Sequence, residues 1–154
     1  MAKQKNILHR YAEITLQYCR LSFKSEVSIR IVDNYGKYRR VDIKVLECTQ
    51  QFPLGFYIEC KWQEASGSAW EKIEKAISDA VEVNDLPTVL LIDGPRAEMQ
   101  VARERARAKV GEGNLHCAVS LFEFWFLCRE LSAELGRTVN PGRGRFESQQ
   151  KTLF

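Results

Sequence analysis

The chain has 154 residues, enough for a single domain with a substantial hydrophobic core. Its composition, 45% hydrophobic and 28% charged, is that of an ordinary globular fold, and 23 Lys and Arg against 20 Asp and Glu leave a formal charge of +3, which admits an anionic partner without requiring one. Neither an apolar run of about eighteen residues, as a membrane span needs, nor the apolar stretch of a signal peptide after Met-Ala-Lys-Gln-Lys-Asn is present, so a cytoplasmic protein with no membrane partner is expected.

The first predicted element is a helix over about residues 6–23. Ile7, Tyr11, Ile14 and Tyr18 fall at helical spacing as its apolar stripe, with Arg10, Glu13 and Gln17 on a separate polar one. Residues 27–32 alternate as a first strand, and Asp33-Asn-Tyr-Gly36 supplies turn residues. Two further alternating runs follow. In residues 38–46, Val41, Ile43 and Val45 share one face and Arg40, Asp42 and Lys44 the other. In residues 55–63, Phe56, Ile58, Cys60 and Trp62 oppose Tyr57, Glu59, Lys61 and Gln63.

With only the loop 48–54 between them, these runs are predicted to form a hairpin. A midpoint near Gln51 and Phe52 sets Asp42 opposite Lys61 and Lys44 opposite Glu59, gathering two carboxylates and two ammonium groups on one sheet face. A one-residue slip would turn Asp42 away. Two readings fit this geometry. In one, the four groups form cross-strand ion pairs, each contributing at most about 1 kcal/mol. In the other, Asp42 and Glu59 share a hard divalent cation such as Mg2+, and Lys61 orients or polarises the attacking water. Asp33 rivals Asp42 for the ligand role, but it sits in a turn and does not face Glu59.

Asp42 followed on the next strand by Glu59-Cys-Lys61, with Gln63 closing the face, resembles the PD-(D/E)xK nuclease superfamily, although Val41 stands where the motif's name has proline. By order of elements the likeness spans roughly residues 13–131. The resemblance implies a restriction-endonuclease-like fold and a site in which Asp42, Glu59 and the Cys60 backbone carbonyl bind Mg2+ or Mn2+. It implies further that Lys61 assists the nucleophilic water and that Gln63 occupies a position often polar in the restriction-enzyme-like and resolvase-like branches. A glutamate from a first helix sometimes reaches the metal in this superfamily, which makes Glu13 a candidate ligand against the alternative of a solvated helix face.

Beyond this hairpin, Ser68-Ala-Trp-Glu71 has the form of a capping box and opens a helix over about residues 69–83, buried through Ala69, Ile73, Ala76, Ile77 and Ala80. Gly67 and Ser68 would offer backbone N–H groups to a phosphate there, although a capped helix alone explains the same letters. Lys72 on the first turn either reaches a phosphate or faces water. Thr88-Val-Leu-Leu-Ile-Asp93 reads as a central strand covered on both faces. Gly94-Pro95 then starts a helix carrying Arg96, Arg103, Arg105, Arg107 and Lys109. Arg96, Arg103 and Arg107 fall close to one face, either as a stripe for nucleic-acid phosphates or as members of ordinary i,i+3 and i,i+4 pairs with Glu98 and Glu104.

Residues 115–119 form a predicted short edge strand. Ser120-Leu-Phe-Glu123 caps a last helix, 120–135, whose apolar residues Leu121, Phe122, Phe124, Trp125, Phe126, Leu127 and Leu131 lie on nearly every side. Such a helix is either sunk in the core or shared with a second copy in a homodimer. Leu135-Gly136 ends it. The five cysteines, Cys19, Cys48, Cys60, Cys117 and Cys128, are scattered without CxxC spacing and read as buried thiols, and His9 and His116 have no partner spacing.

The expected fold is α/β, in the order α-β-β-β-α-β-α-β-α, a mixed sheet of about five strands flanked by helices. Residues 1–136 form one nuclease-like domain and 137–154 a flexible basic tail. The expected function is metal-dependent endonucleolytic hydrolysis of DNA phosphodiesters, restriction-endonuclease-like. The alternatives are a structure-specific repair or recombination nuclease, and a non-catalytic nucleic-acid-binding subunit that keeps the fold.

Overall fold

In chain order the elements are α1 (Ile7–Tyr18), β1 (Phe23–Val32), β2 (Tyr38–Val45), β3 (Phe56–Trp62), α2 (Ala69–Glu82), β4 (Thr88–Asp93), α3 (Ala97–Arg107), β5 (Leu115–Val119) and α4 (Leu121–Glu134). They come from a computed structural model that describes residues 6–32, 36–62 and 69–137. The strands form one sheet in the order β1-β2-β3-β4-β5. Its first two ladders are antiparallel and its last two parallel, with α2 and α3 as the crossovers. This is the α/β arrangement expected, and it has the form of a restriction-endonuclease-like core.

Two apolar layers hold it. On one face, Leu8, Ala12 and Leu16 of α1 and Phe124, Cys128 and Leu131 of α4 pack on Ile43, Ile58, Val89 and Leu91. On the other, Ile73, Ile77 and Ala80 of α2 and Met99, Ala102 and Ala106 of α3 pack on Leu90 and Ile92. All of β4 from Thr88 to Ile92 is buried, as an apolar run between two helical layers must be. The buried stripe predicted for α2 is present at Ile73, Ala76, Ile77 and Ala80, and Ser120 caps α4 through a complete capping box with Glu123.

Several expectations need correction. The β2–β3 ladder pairs Ile43 with Ile58, Lys44 with Tyr57 and Val45 with Phe56. Lys44 is therefore not opposite Glu59, and the same register carries Asp42 level with Glu59 in place of Lys61. The reason lies in the connection. Thr49 N–H donates to the Phe52 carbonyl and Phe52 N–H to the Thr49 hydroxyl, Phe52 is drawn into the core against Phe56 at 4.2 Å between rings, and Gly55 N–H donates back to the Phe52 carbonyl, which sets where β3 meets β2. The shift is even, so each residue of β3 keeps its face.

The predicted stripe of α1 is also displaced. Ile7, Tyr11 and Ile14 are exposed, and the face turned to the sheet is Leu8, Ala12 and Leu16, where the small Ala12 lets the helix lie close. His9 is buried as well. Of the cysteines, Cys48 is exposed and Cys117 half-buried, not buried as expected. In α4, Phe124 and Leu131 are buried, and Leu121, Trp125 and Leu127 pack against the core, with Trp125 5.1 Å from the Tyr18 ring. Phe122 and Phe126 remain outside as an edge-to-face pair 4.9 Å apart. Arg137 ends the described chain, bonded to Glu47 and the Arg20 carbonyl, and residues 138–154 of the expected tail lie outside it.

Gly55 adopts φ 85, and a Cβ there would collide with the Val45 carbonyl oxygen across the hairpin. Gly36, at φ 77, has open space around it. Gly55→Ala is therefore expected to lose more than about 2 kcal/mol, and Gly36→Ala only about 1 kcal/mol from backbone strain. Urea denaturation of the two variants measures the difference, and equal losses would contradict the close approach.

Candidate active site

The site forms where β2 parts from β3. Up to Asp42 the strands alternate regularly: Ile43 and Val45 join the core beneath α1 and α4, and Ser25, paired with Ile43, donates its hydroxyl to Glu13 of α1 at 2.9 Å. One step further, Val27 and its partner Val41 belong to a cluster with Tyr57, on the opposite face. The switch occurs at Glu26, whose φ of 53 is left-handed, and at Asp42 across from it. A non-glycine residue there costs roughly 1–2 kcal/mol, so the surrounding packing must impose it.

At this switch Asp42 Oδ2 accepts the Cys60 N–H at 2.8 Å, in place of a ladder carbonyl. Glu59, the residue before, is buried at 5% exposure. Its Oε2 lies 3.8 Å from Lys61 Nζ and its Oε1 3.3 Å from Arg39 Nη2. Asp42, Glu59 and Lys61 line one cavity of about 320 Å³ together with Arg39, Lys72, Lys75 and Asp79. The Cys60 carbonyl accepts from Asn6 Nδ2 at 3.1 Å, and the same Asn6 side chain caps α1 by accepting from His9 N–H. One amide thus ties the start of α1 to the strand that carries Glu59.

Electrostatics set the character of the site. Burial, and then the neighbouring charge of Asp42, push the Glu59 carboxyl up to about 7, with Lys61 and Arg39 pulling the other way. Two carboxylates thus meet beside Lys61 and Arg39, and the Glu59 carboxyl is raised by its burial first and by the Asp42 charge second. A hard cation with oxygen preference, Mg2+ or Mn2+, suits that donor set, since such an ion takes one or two carboxylates and fills its remaining positions with water and phosphate oxygens. The Cys60 thiol is pushed well above its usual range by burial, so it offers no thiolate to a metal or a substrate.

Lys72 lines the cavity. Glu13 is not among the cavity's residues; its carboxylate meets Ser25 and lies 3.7 Å from His9 Nε2 on the α1 side. Arg96 pairs with Glu98, Arg103 donates to the Ile92 carbonyl at 2.8 Å, and Arg107 donates to the Ala118 carbonyl at 3.0 Å and to Glu123 at 2.6 Å. The guanidinium groups of Arg103 and Arg107 join α3 to β4, β5 and α4, and the cavity lining includes none of the three. Gln63, Ser68, Gly67 and Asp33 lie outside the described residues.

Sequence reasoning missed Arg39, Asp79, Lys75, Asn84 and Asn6. Alternation carried the signal for the first, since Arg39 shares parity with Val41 and an arginine in an apolar series is buried only when paired. Asn6 stands as an N-cap residue at a helix start, which says nothing of its second bond.

A PD-(D/E)XK nuclease superfamily domain model matches residues 3–115. No curated protein and no solved structure gives a significant match to the chain. The matched span runs from before α1 to the start of β5 and includes Asp42, Glu59, Lys61 and the fork in the sheet that brings them together, and on that match the chain belongs to the PD-(D/E)XK nuclease superfamily.

Proposed function

We propose that this chain is a divalent-metal-dependent endonuclease that hydrolyses DNA phosphodiester bonds. The observation that carries the reading is the meeting of Asp42, Glu59 and Lys61 at one cavity, with the Glu59 carboxyl raised to about 7 by burial and by Asp42. Asp42 and Glu59 would hold Mg2+ or Mn2+, with the Cys60 carbonyl as a third oxygen. When bound, the ion supplies positive charge to the scissile phosphate and acidifies a water. Lys61 orients that water, since its ammonium lies beside Glu59 and is not itself a ligand. Lys72 offers a charge to a phosphate at the cavity. A structure-specific repair or recombination nuclease would use the same residues. A binding subunit without turnover is the competing class, and the retention of all three motif side chains favours catalysis.

Asp42→Asn and Glu59→Gln are each expected to abolish Mg2+-dependent cleavage of DNA while the fold survives. Lys61→Ala is expected to keep Mn2+ binding but lose about a hundredfold or more in turnover, as removal of a positioned catalytic group does. Full activity of either carboxylate variant, or cleavage in excess EDTA, would sink the metal reading. A Lys61→Ala protein that is less stable yet cuts normally would favour plain ion pairing.

The pH dependence has a fixed sign. Glu59's folded pKa lies above that of a free carboxylate, so without metal the folded state holds a proton there that the unfolded chain has released. Metal-free stability should fall as pH rises from about 4.5 through about 7. Mn2+ affinity should rise up to about tenfold per pH unit below 7, with up to about one proton released per ion bound, and level off above, where that release ceases. Calorimetry in two buffers of different ionisation heat reads the proton count, and a pH-independent affinity would contradict the reading.

We also propose a homodimer through the outer face of α4, on the exposure of Phe122 (70%) and Phe126 (38%). Cutting both strands of a duplex is served by two sites related by a twofold axis. Sedimentation equilibrium at micromolar concentration should give about twice the chain's mass, and Phe122→Glu should give a folded monomer. A wild-type monomer would contradict it.

A further inference from the structure

The cavity contains a buried cation that the reaction as described does not use. Arg39 is 8% exposed, and its guanidinium bonds three side chains, on β3, on α2 and in the connection after α2. Nε donates to Asn84 Oδ1 at 2.6 Å, Nη1 to Asp79 Oδ2 at 2.8 Å, and Nη2 to Glu59 Oε1 at 3.3 Å. Each anchor is held in turn. Asn84 Nδ2 donates to Thr88 Oγ1 at 2.8 Å at the start of β4, and the Asn84 carbonyl accepts from Asn114 Nδ2 at 2.6 Å. Asp79 also takes Lys75 Nζ at 3.0 Å. The two short bonds are those to α2 and the segment behind it, and the longest is that to Glu59. The guanidinium is therefore fixed from the helix side and presented to the carboxylate.

Resting on the nuclease reading above, we propose that Arg39 is a positioning residue for the metal-binding carboxylate. It holds Oε1 of Glu59 against the α2 side of the cavity, which turns Oε2 toward Lys61 and the place beside Asp42. A buried carboxylate with rotatable side-chain bonds would otherwise adopt several orientations, and only one faces Asp42. The fork geometry matters more than the charge, because three partners in three directions match a planar group with five donors and not a single ammonium. Asp79 and Asn84 serve the same end through Arg39, which makes α2 and the start of β4 a support for the ligand on β3. A purely structural role would be to staple α2 to the sheet, with no consequence for Glu59.

Arg39→Lys keeps the charge and removes the fork, so it isolates orientation. Mn2+ affinity, by calorimetric titration of the full chain, is expected to fall about ten- to a hundredfold, the usual effect of losing a group that orients a ligand. Turnover should fall in parallel while KM for DNA stays within about twofold. Asn84→Ala, which touches Arg39 and not Glu59, should shift affinity in the same direction by less, and it carries the test if Arg39→Lys fails to fold. Lower melting temperatures with unchanged Mn2+ affinity and turnover in the variants would overturn the proposal alone. A wild-type chain that takes up no Mn2+ in the same titration would overturn the metal reading, and this proposal with it.

Discussion

The bond between the Asp42 carboxylate and the Cys60 N–H is the constraint on which the site depends. Where β2 swings away from β3, the N–H of Cys60 loses the backbone carbonyl that a continued ladder would provide. A buried N–H without a partner costs about 1–3 kcal/mol. Asp42 removes that cost, and in doing so its side chain is fixed level with Glu59 at the head of the cavity. The same strand separation leaves the Cys60 carbonyl to Asn6, so both backbone polar groups of the residue between Glu59 and Lys61 are bonded to side chains. The site is thus the local solution to a fork in a sheet.

That solution concentrates charge. Glu59 is buried beside Asp42, and burying a carboxylate near another is unfavourable unless cations or a proton intervene. The fold supplies Lys61 on the same strand and Arg39 from β2, yet burial and the Asp42 charge still push the Glu59 carboxyl up to about 7. The left-handed Glu26 adds backbone strain at the same place. The paired apolar layers on either face of β4 must offset these costs, and the most buried strands of the sheet, β3 and β4, lie directly beside them. Rigid parallel strands on one side and a diverging hairpin on the other fix the ligands while leaving the cavity open.

Much of this was legible in the letters. Period-two alternation across residues 38–46 and 55–63 located the hairpin, and the apolar run of residues 88–93 announced a strand covered on both faces. Ser120 and Glu123 marked the start of α4. What the pattern could not carry was register, because the path of Phe52 into the core is a packing decision made outside the strands. The buried face of α1 is not the one its large residues Ile7, Tyr11 and Ile14 mark, because the small Ala12 is what allows close contact with the sheet. The arginines of α3 looked available to a phosphate because their partners are backbone carbonyls of strands distant in sequence, such as Ile92 and Ala118. Arg39 was hidden for a related reason: Glu59, Asp79 and Asn84 come together only in three dimensions.

The central claim is that Asp42 and Glu59 serve one divalent cation. Crystals soaked in Mn2+, with diffraction collected near the manganese edge, test it most directly. The account predicts an anomalous peak within coordinating distance of a carboxylate oxygen from each of Asp42 and Glu59, with Lys61 Nζ beside the metal's water and Arg39 still on Oε1. Glu59 remaining paired to Lys61 and Arg39 with no peak between it and Asp42, at Mn2+ concentrations that support cleavage, would contradict it.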